Sequence, residues 1–131
     1  RMVALETRSG NVRWVATPEA GLFFGGVTDS TVVVVTRAGV LGLKRDTGER
    51  AWNEPLLRTG APGGRGVMAG HIYLHPTVHG ELVAIDTRAG RILRRDTPAS
   101  GRPLGNLVAA RGTMLSLRPD GMTAYHDLAV L

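Results

Sequence analysis

The feature that most constrains this chain is a short segment that occurs three times, each time with a glycine closing its turn. Ala4-Leu5-Glu6-Thr7-Arg8-Ser9-Gly10-Asn11-Val12-Arg13-Trp14 returns as Gly42-Leu43-Lys44-Arg45-Asp46-Thr47-Gly48-Glu49-Arg50-Ala51-Trp52. It returns again as Ala84-Ile85-Asp86-Thr87-Arg88-Ala89-Gly90-Arg91-Ile92-Leu93-Arg94, and a weaker echo stands at Ala124-Tyr125-His126. In each copy a small residue and then Leu or Ile alternate with polar neighbours, the period-2 pattern of a half-buried strand. A polar turn follows. Glycine closes it because the chain there needs a positive φ that a Cβ would penalise. The chain then heads back as a second strand ending in Trp14 or Trp52, an aromatic large enough to cover a gap between neighbouring sheets.

The copies recur at about 40 residues, the length of one four-stranded propeller blade and too long for a leucine-rich repeat. Upstream of each copy lies another hairpin pattern: 22–27 and 31–36 before the second, 66–69 and 71–74 before the third, 106–110 and 113–117 before the echo. No stretch sustains a 3.6-residue period, so essentially no helix is expected. The expectation is an all-β fold, a partial β-propeller of four-stranded antiparallel blades over residues 1–131. Residues 1–16 form the outer hairpin of a blade, 21–54 and 66–96 form blades, and 104–126 form an incomplete one. Natural propellers usually have about four to eight blades. The chain is therefore expected to be a fragment of a larger ring, or to self-associate through open blade edges. The irregular stretches 55–65 and 97–103 fall between blades, where surface loops carry function in such folds.

The motif resembles the pyrroloquinoline-quinone (PQQ)-like repeat, Ala-x-Asp-x-x-Thr-Gly-x-x-x-Trp, of quinoprotein alcohol dehydrogenases and BamB-type assembly lipoproteins. Ala4, Gly10 and Trp14 match in the first copy, with Glu6 in place of Asp. Gly48 and Trp52 match in the second, where Gly42 replaces Ala and Lys44 replaces Asp. Ala84, Asp86 and Gly90 match in the third, and Arg94 replaces Trp. The resemblance implies blades of this superfamily and suggests the periplasm or cell envelope. It implies no activity, because the motif builds blades and does not bind cofactor. Quinoprotein enzymes hold PQQ through a calcium-liganding Glu and Asn, an Asp base, a stacking Trp and often a vicinal disulfide. With no cysteine that disulfide is impossible here, and asparagine is limited to Asn11, Asn53 and Asn106. No PQQ or calcium site is assigned.

Composition narrows the function classes. Apolar runs are short, Val32–Val35 among the longest, against the roughly 20 residues that a membrane helix needs. The absence of cysteine also removes thiolate metal ligands and cysteine nucleophiles. A net charge of +5 raises the question of nucleic acid or anionic lipid. Of the 16 basic residues, however, only Lys44 is lysine, and Arg94-Arg95 is the only adjacent arginine pair. No aromatics interleave with them for base stacking. A specific nucleic-acid partner is not expected.

Several residues invite a chemical role. His71, His75 and His79 lie four apart, which on a helix would make a metal-binding face. Pro76 and Gly80 break any helix there, leaving a weak site between strand histidines or simply packed and solvent-facing rings. Asp86 and Asp96 suggest a general-base pair, but a turn aspartate bonding its own backbone is the commoner role. Gly25-Gly26 and Gly63-Gly64 lack the Lys-Ser/Thr that follows a phosphate loop. Ser9, Ser30, Ser100 and Ser116 lack a nucleophile-elbow setting. Trp14 and Trp52 can stack a ligand, but their matched repeat positions favour packing between blades. No catalytic, cofactor-binding or metal residue is assigned.

A repeat without chemistry points to a non-catalytic binding or scaffolding module whose loops face a protein or small ligand. The alternative is a section of a quinoprotein dehydrogenase or other propeller enzyme whose active residues lie outside this stretch.

Overall fold

The computed structural model describes residues 1–18, 21–57, 61–98 and 102–126, with Leu22 by its backbone alone. Ser100 lies outside the described residues. Every element among them is a strand, and no helix is long and apolar enough to cross a membrane. The first sheet pairs β1 (Met2–Leu5) with β2 (Val12–Ala16). The second is β3 (Gly21–Val27), β4 (Thr31–Thr36) and β5 (Gly39–Lys44). The third is β6 (Val67–Ala69), β7 (Ile72–Pro76), β8 (Leu82–Asp86) and β9 (Arg91–Asp96). The fourth is β10 (Asn106–Ala110), β11 (Thr113–Arg118) and β12 (Gly121–His126). Each is an antiparallel meander in chain order, as short turns between alternating strands require.

One expected strand is not formed. After the Gly48 turn a strand ending in Trp52 is expected, but only Arg50 bridges Leu43, with the Ala51 N–H on the Gly42 carbonyl at 2.8 Å. Trp52 turns inward at this point, and Pro55, which has no N–H to extend a ladder, follows soon after.

Alternation within the strands sets how the sheets stack. Val32, Val34, Leu41 and Leu43 leave one face of the second sheet and bury against Met2, Ala4 and Trp14 of the first. Val33, Val35 and Val40 leave the other face and meet Tyr73, Val83 and Ile85 of the third. From the third sheet Leu74, Leu82 and Ala84 point on to Leu107 and Met114 of the fourth. All six residues of β4 are therefore buried, although they alternate between two separate cores. Each such aliphatic side chain contributes about 1.5–3 kcal/mol by leaving water. The starting strands β3, β6 and β10 adjoin in succession along one side of the stack.

The repeated turns share one geometry. Gly10, Gly48 and Gly90 have φ of 74°, 77° and 68°, and their N–H groups donate to Glu6, Lys44 and Asp86 at 2.8, 2.8 and 2.9 Å. Glycine does a second task at two of them. Trp14 of the first sheet lies on the second sheet's turn, its ring 2.5 Å from where a Gly48 Cβ would stand, and its indole N–H reaches the Arg45 carbonyl at 2.6 Å. Trp52 treats the third sheet's turn alike, 2.5 Å from a Cβ on Gly90 and 2.9 Å from the Thr87 carbonyl. The tryptophans thus join the first sheet to the second and the second to the third.

Candidate functional site

The connecting segments enter each sheet at the end where its second and third strands turn, since Gly21 pairs with Thr36, and Asn106 with Leu117. One end of the stack therefore gathers the irregular segments. Segment 61–66 is tied there by backbone: Gly63 N–H to the Pro76 carbonyl at 2.9 Å, and Val78 N–H to the Ala61 carbonyl at 3.1 Å. Backbone from neighbouring segments approaches Gly63 and Gly64 closely. A Cβ on Gly64 would stand 2.5 Å from the Gly105 carbonyl oxygen. Both glycines pack against neighbouring backbone.

Arg65 links three sheets at this end. Its guanidinium carbon sits 5.3 Å from the centroid of the Phe23 ring in β3, a cation–π distance. Its backbone N–H donates to Asn106 Oδ1 at 2.8 Å, and its carbonyl accepts the Leu107 N–H at 2.8 Å. No sequence pattern marks this residue, because its partners come from two repeats other than its own.

Beside it a cleft of about 540 Å³ is lined by Gly63, Arg102, Pro103, Gly105, Arg118 and Asp120. The Arg118 side chain is only 8% exposed. Its Nε donates to Asp120 Oδ1 at 3.2 Å and its Nη1 to Thr123 Oγ1 at 3.1 Å, while Nη2 is buried without a partner. Asp120 is an exposed carboxylate at the rim. The cleft offers cationic and backbone contacts suited to a polar group, and its lining holds no nucleophile with a base beside it.

The singled-out residues are dispersed. His71 stands in the turn before β7, one position short of the strand placement expected for it. His75 is 2% exposed inside β7, its ring 5.8 Å from that of Tyr73, and His79 is exposed in the following turn. Burial pulls the His75 imidazole down to about 4. Burial also pushes the Tyr73 phenol up to about 12, against a smaller opposite pull from the Gly66 backbone and the Arg65 charge. The Tyr73 hydroxyl faces that backbone without hydrogen-bonding geometry. Among the described residues no group of three or more His, Asp or Glu is placed to hold a metal.

Asp86 accepts the N–H groups of Arg88 and Ala89 at 3.0 and 3.3 Å, the turn role. Asp96 pairs with Leu82 at the other end of the β8–β9 ladder and forms an ion pair with Arg94 at 2.8 Å, so the two aspartates do not meet. Ser9 accepts the Asn11 N–H, Ser30 sits in the β3–β4 turn, and Ser116 accepts the Gly105 N–H at 2.9 Å. Gly25 and Gly26 lie inside β3, facing Tyr73 and Met68. The described residues do not fit a PQQ–calcium site: both indoles are packed between sheets, and Asn106 Oδ1 is engaged by Arg65.

No family model and no curated protein matches this sequence. Solved structures do match. BamB from Moraxella catarrhalis superposes with a TM-score of 0.70 at 19% identity, over 95% of this chain and 39% of that one. This is a section of a β-propeller. The computationally designed Ika4 protein superposes with a TM-score of 0.67 at 15% identity, over 93% of this chain and 76% of that one. The designed Ika8 protein gives 0.56 at 16%, over 77% and 31%. The chain thus spans well under half the length of BamB. Within the propeller, β3, β6 and β10 are the innermost strands, and the Trp14 and Trp52 turns lie toward the outer rim.

Proposed function

We infer that this propeller section is a non-catalytic binding and scaffolding module of the PQQ-like, BamB-like kind, presenting its loop end to a protein or small ligand. The observation that carries the reading is how the reactive side chains are engaged. Asp86 holds a turn, Asp96 an arginine, His75 a core and Ser116 a backbone amide, while a cleft at the loop end is lined by Arg102, Arg118 and Asp120. Exposed loops on a rigid sheet scaffold are where folds of this type recognise partners.

The test is reconstitution of the full-length protein with PQQ and calcium, followed by an assay of alcohol-dependent dye reduction. No turnover is expected. Partner capture is expected to fall when Arg102 and Asp120 are both replaced by alanine, with the thermal midpoint unchanged. Dye reduction above the apo protein would favour the alternative, a propeller enzyme whose active residues lie outside this stretch.

A further inference from the structure

The second, third and fourth sheets enter the turn between their second and third strands through a matching residue. In two of them it is a buried threonine that closes the turn. Thr36 Oγ1 donates to the Gly39 carbonyl at 2.8 Å and accepts the Ala38 N–H at 3.0 Å. Thr77 Oγ1, directly after β7, accepts the Glu81 N–H at 3.0 Å. The fourth sheet places Arg118 there, opposite Gly121 as Thr36 stands opposite Gly39. A short hydroxyl is exchanged for a long cation, and the cation is kept inside. The Arg118 side chain is 8% exposed and lines the loop-end cleft with Gly63, Arg102 and Gly105. Gly105 leaves room for its stem, since a Cβ there would stand 3.0 Å from Arg118 Cγ. A planar guanidinium presents Nε and Nη2 as one fork that fits both oxygens of a carboxylate. Asp120, 80% exposed, takes Nε alone with Oδ1 at 3.2 Å. Nη1 goes to Thr123 Oγ1, and Nη2 is buried without a partner. The fork is half filled. A buried donor left unpaired is costly, and threonine serves the same turn elsewhere without that cost.

We propose that this cleft binds a carboxylate carried by a polypeptide partner, with Arg118 as its recognition residue. The partner's carboxylate takes Nε and Nη2 side-on with both oxygens, and Asp120 gives up its single contact to solvent. Asp120 shows which chemistry the fork accepts, while its place two residues along the same turn leaves Nη2 unreached. Two arginines against one aspartate leave the lining one net positive charge, which suits a carboxylate better than a phosphate dianion. The cleft, about 540 Å³, lies within the roughly 300–1,000 Å³ of small-ligand sites. The inference deepens the scaffolding reading above and rests on it, naming what the loop end grips. Arg102, the second cleft cation, then carries the fall in capture expected when it and Asp120 are replaced together.

The test titrates the isotope-labelled full chain with N-acetyl-dialanine, which carries a chain-terminal carboxylate, and with N-acetyl-aspartyl-alaninamide, which carries a side-chain one. Saturable shifts of the Arg118 Nε–H and of the Gly63 and Gly105 amides are expected, and the tighter probe identifies the source of the carboxylate. The neutral analogue, N-acetyl-asparaginyl-alaninamide, should give none. Arg118→Thr installs the residue of the two sister turns and should abolish the shifts while the remaining spectrum stays intact. Asp120→Asn removes the internal competitor and should tighten binding by about two- to fivefold, the worth of an exposed ion pair. Shifts absent with both carboxylate probes, matched by the neutral analogue or insensitive to Arg118→Thr overturn the proposal. Unchanged or weaker binding in Asp120→Asn overturns it too, as does tighter binding of inorganic phosphate. Turnover with PQQ and calcium would instead overturn the scaffolding reading and leave these titrations as they stand.

Discussion

Trp52 donates its indole N–H to the Thr87 carbonyl, 35 positions on, at 2.9 Å, and its ring occupies the place a Gly90 side chain would take. One residue thereby buries an aromatic surface, satisfies its only polar group and fixes the spacing of two sheets. Removing it tests all three. Trp52→Ala is expected to cost about 3–5 kcal/mol, the range for deleting a buried aromatic. Trp52→Phe keeps most of the packing, loses the hydrogen bond and should cost distinctly less. Urea denaturation of the variants checks both, and equal losses would mean that the ring contributes little beyond its N–H.

The turn glycines separate backbone strain from docking. Gly10 and Gly48 share nearly the same φ, 74° and 77°, but only Gly48 has an indole against it. Gly10→Ala is expected to cost about 1–2 kcal/mol, from the left-handed conformation alone. Gly48→Ala should cost about 1–3 kcal/mol more, because the new methyl overpacks against Trp14. Thermal unfolding of the two variants measures the difference, and equal costs would mean that the indole yields freely.

Stability should depend on pH through His75. Burial holds its folded pKa at about 4, below the ordinary 6.5, so the unfolded chain binds more protons between those values. Stability is then complete above about pH 6.5 and falls as the pH drops toward 4, by about 3 kcal/mol from this one group. The curve for His75→Phe, subtracted from that of the wild type, isolates the effect. A flat difference would mean that the imidazole is reached by water or finds a partner when charged.

Asp86 distinguishes a turn from a catalytic role. Asp86→Asn retains a side-chain oxygen for the Arg88 and Ala89 amides and should be nearly neutral. Asp86→Ala is expected to cost about 1 kcal/mol, the net value of such bonds. Chemical denaturation decides it, and an aspartate acting as a base would lose turnover in both variants alike.

Much of this was legible beforehand because the repeat is a local code. The turn glycines, the alternating strands and the tryptophans that end the first two hairpins all act within about a dozen residues of one another, where spacing alone fixes direction. The pairing of Gly42 with the second tryptophan was not legible. Its missing side chain makes room for Trp52, whose ring turns inward over it in place of a regular fourth strand. The three histidines show the same limit: their spacing suggested a shared site, but a strand and its two turns carry them to different surroundings. Arg65 carried no signal at all, since Phe23 and Asn106 are joined to it only through the stacking of three sheets.

Local chemistry, then, was decided by the order of residues: where the chain turns, which side of each strand is oily, and how often the unit repeats. Burial was decided by the stack. Val3, Leu41 and Val83 hold matching places in their repeats, yet only the latter two lie beneath a neighbouring sheet. Exposure depends on what packs against a face, and that is a property of the assembled sheets that no single repeat contains.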